Sequence, residues 1–172
     1  MRLLFVCAIV LVPRASNAQI PTLPGQDAYA AIAEVVRILE ADPGTNWSKV
    51  DLEALRQHLI DMNDVTLRSM VKQSSVPGGA AFDVIGEGRA ANAIRRMLTA
   101  HAPMLEMLPN YTATAEDIPG GTRLTVRSRK QGDSETEARI RGLGFIGMLT
   151  VGAHHTVHHL AIARGEGAAH HH

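Results

Sequence analysis

The sequence predicts an α+β fold of two ββα-type repeats, whose hairpins form a four-stranded antiparallel sheet packed by helices. A helical extension is expected at the N-terminal end and a long helix at the C-terminal end. Three observations carry this reading. Apolar residues at helical spacing alternate with short β-like runs. A Pro-Gly-Gly turn lies inside each of two β-like regions, and those two regions resemble one another. With 172 residues, 45% of them apolar, the chain is long enough for one domain with its own core.

Residues 1–18, MRLLFVCAIVLVPRASNA, have the form of a signal peptide. Arg2 supplies the positive start, Leu3 to Val12 the apolar stretch, and Ser16 and Ala18 the small residues of a cleavage site. A stretch this short spans about half a bilayer core, so no stable membrane anchor is expected after leader removal. The expected destination is across the inner membrane, in a bacterial periplasm. The single cysteine, Cys7, leaves with the leader, which excludes a disulfide framework and a thiolate metal cluster. Losing Arg2 and Arg14 reduces the 17 basic side chains to 15, against 17 acidic ones. Such a balance argues against nucleic acid as a partner, because counterion release needs a basic surface.

Residues 19–164 are expected to form a single domain. Gln19–Gly25, with two prolines, reads as an extended lead-in. Ile32, Val35, Val36 and Leu39 then share one helical face, and Asp42-Pro43-Gly44 stops that helix. Ser48 and Asp51 suggest a capping box for a second helix running to about Asn63, with Leu52, Leu55, Leu59 and Met62 on its apolar side. A hairpin follows: Val65–Gln73, the turn at Pro77-Gly78-Gly79, then Ala80–Ile85. A third helix is expected from Arg89 to Ala102, bent or ended by Pro103. The second hairpin comprises Tyr111–Glu116, the turn at Pro119-Gly120-Gly121 and Thr122–Ser128. Ser134 and Glu137 suggest a cap for the final helix, which is expected to continue to about Ala163. A flexible tail, 165–172, ends in His170–His172, which can capture metal weakly but is given no catalytic role.

The duplication is expected over about 58–98 and 101–144. Pro77-Gly78-Gly79 maps onto Pro119-Gly120-Gly121 at an offset of 42, as Phe82 and Val84 map onto Leu124 and Val126. His58 maps onto His101 at 43, and Met62 onto Met104 at 42. No dinucleotide fingerprint, P-loop, H-E-x-x-H or G-x-S-x-G is present.

Histidine carries the functional signal, with nine in the chain. Neutral imidazole binds zinc, copper or nickel without an oxidisable thiol. In His154-His155-Thr156-Val157-His158-His159, the pairs His154/His158 and His155/His159 are four residues apart, a spacing that places two rings on one helical face. A stripe of Ile140, Gly144, Gly147, Val151, His154 and His158 along one unbroken helix would turn His154 and His158 inward. His155 would flank that stripe and His159 would lie further round. Glycines 142, 144, 147 and 152 would let another backbone approach. His58 and His101 each lie on or beside an apolar helix face, where a lone histidine is more often a satisfied core residue than a ligand. As mates of a duplication they can instead meet the C-terminal pair. Met62 and Met104, near those histidines, tilt the donor set toward copper, although methionine is usually core filler. Asp61 and Asp64 read as a solvated helix end, or as carboxylates that bind metal or orient imidazole.

The expected function is therefore that of an exported transition-metal-binding protein using His58, His101, His154, His155, His158 and His159. Its ion would be copper or zinc, with nickel third, and its role sensing, storage or delivery. Affinity should fall below about pH 6.5, as the imidazoles protonate. Two alternatives are a non-covalent haem protein with bis-histidine ligation and a metal-dependent enzyme of unknown reaction. No catalytic residue is assigned, and an enzyme is the less favoured class. Beyond the ion, an envelope protein is the class of partner that export would supply.

Overall fold

The structure, a computed structural model, describes residues 28–152 and 155–166, with backbone alone at 155 and 156. The expected leader, the lead-in Gln19–Gly25, His154, the side chain of His155 and the terminal His170–His172 lie outside the described residues. Helix α1, Ala28–Ala41, buries Val35 and Leu39 from the predicted stripe. Beyond it, the Asp42 carboxylate accepts from Gly44 N at 2.9 Å, and Thr45 Oγ1 donates to the Leu39 carbonyl at 2.7 Å. These contacts satisfy polar groups that a helix end would otherwise leave open.

Helix α2, Leu52–Arg68, begins at Asp51, whose side chain accepts from Ala54 N at 2.8 Å. Asp51 is thus the cap itself and not the third residue of a box opened by Ser48. The helix also runs past Asn63 and takes in Val65, which had been expected in a strand. Its two halves serve different cores. Leu55 and Leu59 pack with Val35, Leu39, Ile162 and Ala163, whereas Val65 joins the core beneath the sheet.

Four strands follow the predicted plan: β1 Met70–Val76, β2 Gly79–Ile85, β3 Tyr111–Ile118 and β4 Gly121–Ser128. They form one antiparallel sheet in the order β1-β2-β4-β3. Between the hairpins runs α3, Arg89–Glu106, which passes through Pro103 instead of ending there. After β4 comes α4, Ser134–Thr150, capped by Asp133, whose carboxylate accepts from Thr136 N at 3.0 Å. Helix α3 packs mainly on β3 and β4, and α4 mainly on β2 and β1. Each repeat's helix therefore covers the hairpin of the other repeat.

The register makes the duplication geometric. In the central pair, Phe82 lies opposite Leu124, its own repeat mate. A local twofold relation thus passes between these two fully buried side chains. The flanking bonds obey it: Gly86 N donates to the Gly120 carbonyl at 3.0 Å, and Ser128 N to the Gly78 carbonyl at 2.8 Å. Gly78 and Gly120 adopt φ of 81° and 80°, each after a proline, as a type II turn requires. A Cβ on Gly79 would strike the Val126 carbonyl, and one on Gly121 would strike that of Val84. Those obstacles are also repeat mates, so one close approach is built twice.

The expected single C-terminal helix is broken. Gly144 takes φ 61° and ψ −171°, Val151 is extended, and Gly152 has φ 101°. Side chains rarely adopt positive φ, so the glycines permit breaks that other residues would resist. They do not serve the expected close approach of another backbone: a Cβ on Gly142 would meet nothing within 4 Å, and one on Gly147 would meet Leu143 of its own helix. Helix α5, His155–Ala163, is consequently a separate element packed on α1 and α2.

Candidate functional site

Two contacts fix α5 against the N-terminal helices. Asp51 N, at the start of α2, donates to the Ala163 carbonyl at 2.8 Å. Arg164, just after α5, pairs with Asp42 beyond α1 at 2.7 Å. Helix α5 therefore runs back along α2, and residues before Ala163 meet residues after Asp51.

This antiparallel pairing brings imidazoles together from residues a hundred positions apart. The ring centroid of His58, in the middle of α2, lies 4.8 Å from that of His158, with an interplanar angle of 77°. It lies 5.3 Å from the ring of His159, at 68°. His158 and His159 are 6.5 Å apart, at 42°. His159 Nε2 also lies 3.4 Å from the Met62 sulfur, one helical turn beyond His58. His159 is only 7% exposed, so the break before α5 has turned this residue inward. On one continuous helix His159 would lie outside the stripe. Rephasing by the 151–154 connection explains the difference.

A cleft of about 100 Å³ adjoins the cluster, between α2, α3, α4 and α5. His58, His101 and His158 line it together with three methionines, Met62, Met97 and Met104. His101 lies in the last two turns of α3. It is buried, and its Nε2 is 3.0 Å from the Met148 carbonyl of α4. This contact holds α3 to α4 and gives His101 a core role beside its place at the cleft. The two repeat mates thus share one cleft, although His58 lies mid-helix and His101 near a helix end. Among the described residues, no three His, Cys, Asp or Glu side chains are already arranged to hold an ion.

Asp61 and Asp64 do not form a solvated helix end. Asp61 accepts from Arg89 at 2.8 Å and from Arg96 at 2.6 Å. Asp64, 3% exposed, accepts from Arg89 Nε at 3.1 Å and pairs with Arg68 at 3.3 Å. Arg89 also donates to the Gln57 side chain at 3.1 Å. The network ties α2 to α3 along the cleft's rim. Reading single residues missed Arg89 and Arg96. Their seven-residue spacing, opposite carboxylates three residues apart, was the signal for two facing helices. Glu106 is likewise structural: it accepts from Ala113 N at 2.6 Å and pairs with Arg129. The Ala113 amide, followed by the Arg129 guanidinium, holds its carboxyl below the usual range.

No protein-family model, curated protein or solved structure matches the chain. Among the described residues, no helix is long and apolar enough to cross a membrane.

Proposed function

We propose that this is an exported transition-metal-binding protein in which His58, His158 and His159 supply imidazole donors for sensing, storage or delivery. One observation carries the reading: helices distant in sequence bring three rings into mutual contact beside a thioether. Imidazoles bound to one ion through bonds of about 2.0–2.1 Å place their ring centroids roughly 5–6 Å apart. The separations of 4.8, 5.3 and 6.5 Å bracket that spacing. Loading would require the rings to turn about their side-chain torsions, aiming nitrogens at a common point. The His101 ring, held at Met148, orients the cleft wall.

The test is metal content after dialysis, using the exported chain with His170, His171 and His172 changed to Ala. One equivalent of ion is expected, and His58→Ala or His159→Ala should lower affinity more than about tenfold. Affinity of the parent should fall as pH drops below about 6.5, since protonated imidazole has no lone pair to offer. Unchanged affinity in both folded variants would overturn the proposal.

A further inference from the structure

We infer that the site selects a soft monovalent ion, copper(I), over zinc(II); this rests on the proposed metal-binding role. The decisive feature is what the cleft offers beyond the imidazoles. Met62, Met97 and Met104 are all half-buried and line the same cleft as His58, His101 and His158. On α3, Met97 is four residues before His101 and Met104 three after it, so these side chains share a helical side. On α2, Met62 stands four residues after His58 and touches the His159 ring. Thioether sulfur is uncharged and polarizable, and it favours copper(I) over harder cations.

The oxygen donors around the cleft are already engaged. Both Asp61 carboxylate oxygens accept from guanidinium groups, those of Arg89 and Arg96. Thr66 Oγ1 donates to the Met62 carbonyl at 2.7 Å, and Thr150 Oγ1 to the Gly147 carbonyl at 2.8 Å. A divalent ion would thus find little anionic oxygen to offset its charge. Arg96, itself at the cleft, repels a double charge about twice as strongly as a single one. Imidazole and sulfur donors together with an adjacent cation favour the ion of lower charge and greater softness.

Silver(I) serves as a redox-inert probe for copper(I), titrated in competition with zinc(II) against the exported chain carrying Ala at 170–172. Silver(I) should bind at one equivalent and outcompete zinc(II). In the triple variant Met62→Leu, Met97→Leu, Met104→Leu, silver affinity should fall at least tenfold, while zinc affinity changes less than threefold. Leucine keeps the apolar volume, so the swap removes sulfur with little loss of packing. If the triple variant fails to fold, Met97→Leu and Met104→Leu are read singly, each expected to weaken silver binding alone. Unchanged silver affinity on losing sulfur would make the methionines core filler and overturn the inference. Zinc binding without silver binding would also overturn it, yet leave the metal-binding role standing. Failure to bind either ion would remove that role as well.

Discussion

Asp64 shows how burial changes a residue's meaning. In sequence it ends an amphipathic helix and reads as a solvated carboxylate. In the fold it is almost fully enclosed, between Arg89, 49% exposed at its side chain, and Arg68, 75% exposed. Asp64→Ala should cost about 1–3 kcal/mol, since it leaves two guanidinium groups without their carboxylate partner. Arg68→Ala should cost below about 1 kcal/mol, because water already solvates that side chain. Urea midpoints of the two variants check the difference; equal losses would mean that burial at Asp64 does not set the energetics. The histidines illustrate the same limit. Sequence placed His58 beside an apolar face, but His159's burial depends on a chain direction that periodicity within one helix does not reveal.

At the scale of elements, the hairpins were the most legible part of the molecule. Alternating side chains and a proline fixed next to a glycine specify both strand and reversal locally, and β2 to β4 match the expected segments closely. The boundary near Val65 was less legible, because a β-branched residue suits either a strand or the sheet-facing end of α2. The C-terminal break was missed for a related reason. Glycines in a helical pattern signal either close packing or a conformational change, and only three-dimensional surroundings separate the two. Gly79 and Gly121 provide the sharpest test of the duplicated architecture. Substituting Ala at either should destabilise by about 1–3 kcal/mol, because the new methyl must push a neighbouring strand away. Thermal or chemical unfolding should give similar losses at both positions. A large cost at one with none at the other would show that the twofold relation is not shared by the packing.

For the whole molecule, the two cores explain why the candidate site lies where it does. The sheet core forms around Phe82, Leu124 and the helices α3 and α4, while a smaller core joins α1, α2 and α5. Helix α2 belongs to both, and the histidine cluster with its methionine-lined cleft occupies their junction. Sequence periodicity identified the layers and the histidines worth watching. The meeting of His58 with His158 and His159 depended instead on the return of α5 along α2, a long-range arrangement with no local signature. The most direct test follows the histidine ring resonances of the exported chain, with Ala at 170–172, while silver(I) is added, and zinc(II) in a parallel titration. Resonances of His58, His158 and His159 should shift together and saturate at one equivalent of silver(I). If neither ion perturbs these three rings while the protein remains folded, the imidazole cluster is a packing feature and not a metal site.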